Sequence, residues 1–114
     1  MTRVYKLLSR AEWQAAAAKG VFEGSAVDLA DGFIHFSTAA QSSETARRYF
    51  AGVADLLIVG FEGAALGEGL KWEASRGGDL FPHLYGPLPT ALAVEVRDVE
   101  LAADGTPMLG ELEL

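Results

Sequence analysis

The chain has 114 residues, no cysteine, and nine Lys plus Arg against sixteen Asp plus Glu, for a net charge of −7. That length makes one domain, residues 1–114, with a single core and no need of covalent staples. The missing cysteines exclude disulfides, thiolate metal sites and a cysteine nucleophile, and the acidic balance disfavours duplex nucleic acid as a partner.

No apolar run approaches the ~20 residues of a membrane span. Arg10 and Glu12 interrupt the N-terminus too early for a signal peptide. The expectation is a cytoplasmic domain with no membrane partner. In chain order, Val4-Tyr5-Lys6-Leu7-Leu8 reads as a short strand. Ser9 and Glu12 form a capping box for an alanine-rich helix anchored by Trp13 and stopped by Gly20. Residues 21–30 have weak periodicity and read as a loop or a short turn of helix. Asp31-Gly32 marks a turn into a strand, Phe33-Ile34-His35-Phe36-Ser37, whose alternation puts Phe33, His35 and Ser37 on one face. Thr38 and Gln41 open a second helix that runs to about Ala51, with Ala46, Tyr49 and Phe50 on its apolar side.

The run from Leu56 to Phe61 is almost continuously apolar and predicts a central strand buried on both faces. Glycines make 62–69 a flexible connection; Leu70 to Glu73 is a short strand and Arg76 to Asp79 a loop. Phe81 to Tyr85 is extended because Pro82 biases its neighbours that way, and Pro87-Leu88-Pro89 is a stiff turn. A strand over Ala91 to Val96 and a hairpin turn at Asp104-Gly105 complete the chain. The fold class is α+β: two helices in the front half and a strand-rich back half. No glycine-rich phosphate motif of the G-x-G-x-x-G or G-x-x-x-x-G-K kind is present.

Two segments do not read as core. Lys71 to Pro89 interleaves three of the four prolines with Trp72, Glu73, Arg76 and His83. The other histidine, His35, sits in the Asp31–Thr38 segment. The expectation is that the segments meet in one polar-lined pocket holding a small-molecule ligand. His35 alone reads equally as a half-buried histidine satisfied by a carbonyl. Ser37 on its face, and the helix opened by Thr38 just beyond, offer donors to an anion; Thr38 also serves as a plain cap. Glu73 is either paired with Lys71 or Arg76, or a catalytic carboxylate at a strand end. His83 and Tyr85 share a face and are bracketed by Pro82, Gly86 and Pro87. Arg76 can clamp an anion bidentately or stand as a loop charge. His35, His83 and Glu73 are a legitimate metal ligand set. They come from three segments without H-x-H spacing, so no metal is expected. Ser37 lies on a strand and not on a G-x-S-x-G turn, which argues against a serine triad.

Gly32-Phe33-Ile34-His35 with Ser37-Thr38, then Lys71-Trp72-Glu73, then Leu80-Phe81-Pro82-His83-Leu84-Tyr85-Gly86-Pro87-Leu88, resemble the signature of a small bacterial domain of unknown function, number nine-five-two. The likeness covers nearly the whole chain. It implies a fold like that of ADP-ribosyltransferases and RNA 2′-phosphotransferases. That is an ADP-ribosylation-like split β-sheet core with two helices in the N-terminal half, and a cleft that in those enzymes holds NAD or an ADP-ribosylated intermediate. By the same resemblance His35 or Lys6 takes the first-strand role, Ser37 and Thr38 the second, and Glu73 or His83 the third. Family members often carry histidine where Lys6 stands. The implied chemistry is cleavage of the nicotinamide–ribose bond through an oxocarbenium-like state. Glu73 would steady the charge, His35 orient the ribose and Tyr85 stack on a ring. The leading expectation is therefore a transferase or glycohydrolase with NAD or a related nucleotide as substrate. The alternatives are a non-catalytic small-ligand or peptide-binding module on the same fold, and a metal-dependent enzyme using His35, His83 and Glu73. The acceptor and the oligomeric state are left open.

Overall fold

The computed structural model describes residues 2–114. Strand β1 (Arg3–Ser9) passes directly into helix α1 (Arg10–Lys19). The junction is fixed by Ser9 Oγ, which accepts from the Glu12 amide at 3.1 Å, while Glu12 Oε1 accepts from the Ser9 amide at 3.2 Å. Gly20 ends the helix in the left-handed region, φ 84°, where a Cβ would be strained. Then follow β2 (Val21–Phe22), α2 (Ala26–Asp31), β3 (Ile34–His35), β4 (Ser37–Thr38) and α3 (Ala39–Tyr49). The back half holds β5 (Leu56–Glu62), β6 (Leu70–Ala74), β7 (Leu80–Leu84), β8 (Leu88–Pro89), β9 (Ala93–Leu101) and β10 (Pro107–Met108).

All strand pairs are antiparallel. They form a five-stranded sheet in the order β10-β9-β5-β1-β4, a three-stranded sheet β3-β7-β6, and a two-stranded pair β2-β8. The apolar run predicted to be central is the middle strand, β5. Its alternation feeds two cores. Leu57, Val59 and Phe61 pack with Val4, Leu8, Ile34 and Leu84 between the two larger sheets, with Trp13 edge-on to Phe61 at 6.3 Å. Leu56 and Ile58 pack with Tyr5, Ala46 and Leu109 under α3. Burying each such side chain is worth about 1.5–3 kcal/mol, so β5 anchors both cores.

The α+β class stands, and three differences from the sequence expectations matter for the site. The strand expected over 33–37 is broken at Phe36: its amide donates to the Pro82 carbonyl at 3.0 Å, so β3 belongs to the three-stranded sheet. The next two residues, β4, pair with β1 in the five-stranded sheet. The chain thus crosses between sheets beside His35. Secondly, the segment read as a loop or a short turn of helix takes the second form, a six-residue α-helix, α2, that adds a third to the two helices expected. It lacks apolar periodicity and is held by the side chain of Asp28. Thirdly, the last long strand runs to Leu101, and 63–69 folds as tight 3₁₀ turns about Gly67, φ 72°. Among the described residues no helix is long and apolar enough to cross a membrane.

Candidate active site

A cavity of about 670 Å³ opens where α2, α3, β7 and the turn after β6 converge on β1. Lys6, His35, Ser37, Thr45, Arg76 and His83 are among the residues lining it. A volume of that order suits a small organic ligand.

One wall is organised by Asp28, which is 1% exposed. Each of its oxygens meets three donors. Oδ1 accepts from Lys6 Nζ at 3.0 Å, from the His35 amide at 3.1 Å and from His35 Nδ1 at 2.6 Å. Oδ2 accepts from Lys6 Nζ at 2.8 Å, from the Ser25 amide at 2.9 Å and from Ser25 Oγ at 3.1 Å. Burial acts to raise the carboxyl pKa, but the His35 ring, the Lys6 ammonium and the Ser25 amide together hold it well below the usual carboxylate range. Burial pulls the Lys6 ammonium downward against the attraction of Asp28. Asp28 therefore fixes the His35 ring and compensates a buried lysine at once. The second nitrogen of His35, Nε2, lies 2.9 Å from Asp31 Oδ2.

The other histidine is held from behind. His83 Nδ1 is 2.8 Å from Glu73 Oε1, and the Tyr85 hydroxyl donates to the same oxygen at 2.8 Å. The bonds from His83 and Tyr85 hold Glu73 below the usual carboxylate range, and Tyr85 is raised because its phenol donates to Glu73. Strand register places His83 directly opposite His35, their ring centroids 5.5 Å apart. Phe33 covers the pair, stacked on His83 at 4.1 Å and tilted against His35 at 4.6 Å.

Opposite lies Arg76. Its Nη1 donates to Thr45 Oγ1 at 3.3 Å, and its guanidinium sits 4.8 Å from the Phe81 ring centroid. Thr45 Oγ1 is in turn 3.0 Å from Ser37 Oγ. With Arg76 filling one lone pair of Thr45, the Thr45 proton is available to Ser37, and the Ser37 proton to a ligand oxygen. The chain has six arginines. Five pair with carboxylates. Among the described residues Arg76 alone has no such partner, and it faces the cavity.

The two segments singled out in the sequence do meet. His35, Ser37, Arg76, His83 and Lys6 all line the cavity, Lys6 with its ammonium tied to Asp28. Glu73 and Tyr85 do not line it; they sit behind His83. Thr38 caps α3, with its amide donating to Gln41 Oε1 at 3.0 Å and its hydroxyl accepting in return. Among the described residues no group of three His, Cys, Asp or Glu side chains is arranged to hold a metal ion. Sequence reasoning missed Asp28, Asp31 as a partner of His35, and Thr45. For Asp28 a local signal existed: Ser25 and Asp28 stand in the spacing of a capping box, and the Asp28 carboxylate accepts from the Ser25 amide as such a box requires.

The chain matches a family described as "Protein of unknown function (DUF952)" over residues 7–96. Among solved structures, it is similar to the crystal structure of protein CC0527 from Caulobacter crescentus, at 59% identity and a TM-score of 0.93, with 96% of each chain covered. A double mutant of that protein is 57% identical at the same TM-score and coverage. The solution NMR structure of CC0527 is 59% identical with a TM-score of 0.87, covering 96% of this chain and 95% of that one. The comparison with curated proteins returned no match. With the family model matching residues 7–96, the chain belongs to the DUF952 family of proteins of unknown function.

Proposed function

We propose that the cavity binds NAD or a related nucleotide, with the phosphates at Arg76, and that the domain is an enzyme of the ADP-ribosyltransferase-like kind its motifs resemble. The observation that carries this reading is the guanidinium of Arg76, which faces the cavity without a carboxylate partner among the described residues. A guanidinium of intermediate exposure with no carboxylate partner keeps donors free for a ligand anion, and its planar fork suits phosphate oxygens. Ser37 and Thr45 continue the donor wall. Phe81, Phe50 and Tyr49, the last of them 64% exposed, give the apolar surface a base or nicotinamide ring requires. In a transferase or glycohydrolase, Asp31 beside His35 is the cavity carboxylate nearest to a ribose hydroxyl's orienting group. Glu73 acts through His83.

Calorimetric titration with NAD, ADP-ribose and nicotinamide tests the reading. Saturable one-site binding of NAD and ADP-ribose is expected, weakened about tenfold or more in Arg76→Ala, the size of a lost charge-assisted bond. No saturable heat with any of the three at millimolar ligand would overturn it. A second reading, a non-catalytic binding module, is favoured by the position of Glu73 outside the cavity. Glu73→Gln separates the two: turnover falls with binding spared in the enzyme, and nothing changes in the module.

A further inference from the structure

Binding alone does not require two histidines in direct cross-strand register, each with its own carboxylate. Asp28 takes Nδ1 of His35 at 2.6 Å and Glu73 takes Nδ1 of His83 at 2.8 Å. A ring engaged at Nδ1 has Nε2 as its working nitrogen. Both rings line the cavity that holds Arg76 and Ser37. Their surroundings differ in a way that assigns roles. His35 has carboxylate oxygens at both nitrogens, Asp28 and, 2.9 Å from Nε2, Asp31. Carboxylates only accept, so satisfying both requires a ring that donates from both nitrogens. His83 has one carboxylate and lies stacked on Phe33, so its Nε2 keeps a lone pair.

We infer that His83 and His35 form a general base–general acid pair that hydrolyses a small nucleotide phosphodiester, with Arg76 taking the charge on the phosphoryl oxygens. This rests on the nucleotide reading of the cavity and goes beyond it in placing the broken bond at phosphorus. A water oxygen attacks the phosphorus, and its proton passes to Nε2 of His83. The phosphorus–ester oxygen bond breaks, and the leaving oxygen takes the proton from Nε2 of His35. The products are a phosphomonoester and an alcohol, both on one molecule when the ester is cyclic; the rings then exchange protons with solvent. Positioning and charge stabilisation dominate such transfers, and acid–base help adds about 10²–10⁴-fold. Asp31 is 48% exposed at the end of α2, so its place on Nε2 is open to exchange for an ester oxygen. The charged and titratable groups around the pair are Lys6 of β1, Glu12 of α1, Asp28 and Asp31 of α2, Glu73 of β6, Lys71 of the same strand directly opposite His83, Arg76 after it and Tyr85 after β7. The pH profile therefore belongs to the set.

The probe is adenosine 2′,3′-cyclic phosphate with the full chain, following ring opening by phosphorus NMR and binding by calorimetry. The inference predicts a single adenosine monophosphate isomer and a bell-shaped dependence of kcat/KM on pH. His83→Ala and His35→Ala should each lower kcat by about 100-fold or more, and the nearly isosteric His→Gln variants guard against loss of fold. Glu73→Gln, which removes a positioning residue from the base His83, should shift the acidic limb of the profile with little change in KM. Binding without ring opening above the buffer rate, or turnover unchanged in the histidine variants, overturns the acid–base pair and leaves the nucleotide reading intact. No binding of this probe or of ADP-ribose overturns the nucleotide reading itself and the inference with it.

Discussion

The five-stranded and three-stranded sheets are both antiparallel, yet their faces are filled differently. In the five-stranded sheet β5 is apolar on both sides and serves two cores. In the three-stranded sheet only one face joins a core, through Ile34 and Leu84. The opposite face presents His35 and His83 side by side. The first sheet needs only the right pattern of apolar residues. The second needs a specific donor or acceptor for each polar atom, because an unpaired buried polar group costs about 1–3 kcal/mol. Lys6 joins the two, a strand residue of the five-stranded sheet whose ammonium is held by the carboxylate that also fixes His35. The comparison teaches that the site is built into the fold through one buried charge pair.

Breaking that pair should have the largest effect. Asp28→Ala leaves Lys6 buried without its counter-ion and should cost about 3–5 kcal/mol in urea denaturation. Adding Lys6→Met to it should recover much of the loss. A cost below about 1 kcal/mol would show that the polar cluster is not structural. Phe61→Ala, in the other region, should also cost about 3–5 kcal/mol, but with no rescue from a second site and no change at His35.

Acid should separate the regions next. The folded carboxyl of Asp28 lies below its unfolded value, so its contribution is fully present above the ordinary aspartate range near pH ~3.9. It is lost as pH falls from there through the folded value. Unfolding midpoints should therefore fall below about pH 4 in the wild type, and more shallowly in the Asp28→Ala, Lys6→Met double variant. Equal slopes would remove Asp28 from the account. The smallest effect on stability is expected from Glu73→Gln, since Glu73 is 40% exposed. Its thermal midpoint should barely move, while the nitrogen-15 shifts of the His83 ring should report a changed tautomer balance. An unchanged ring would mean that Glu73 does not orient it.

Much of the first region was legible in the sequence. The apolar run of Leu56 to Phe61, the capping boxes at Ser9 and Thr38 and the stop at Gly20 are local signals, and local signals suffice where a strand or helix is stabilised by its own pattern. The second region was legible as a pair of unusual segments, not as a geometry. The break at Phe36 depends on the Pro82 carbonyl, 46 residues away in sequence and hydrogen-bonded at 3.0 Å, which no local pattern encodes. Helix α2 was legible only as a loop or a short turn of helix, because a six-residue helix shows too little periodicity and owes its position to Asp28. Asp28 itself was overlooked because a lone aspartate in a glycine- and serine-flanked stretch ordinarily faces water. Only the fold brings Lys6 to it.

The most direct test of the central claim, a phosphate-facing cavity on the three-stranded side, is an amide chemical-shift titration with ADP-ribose. The account predicts saturable shifts at Ser37, Thr45, Arg76 and His83, with β9 and β10 on the far edge of the five-stranded sheet unmoved. Shifts confined to β9 and β10, or none at saturating ligand, would contradict it.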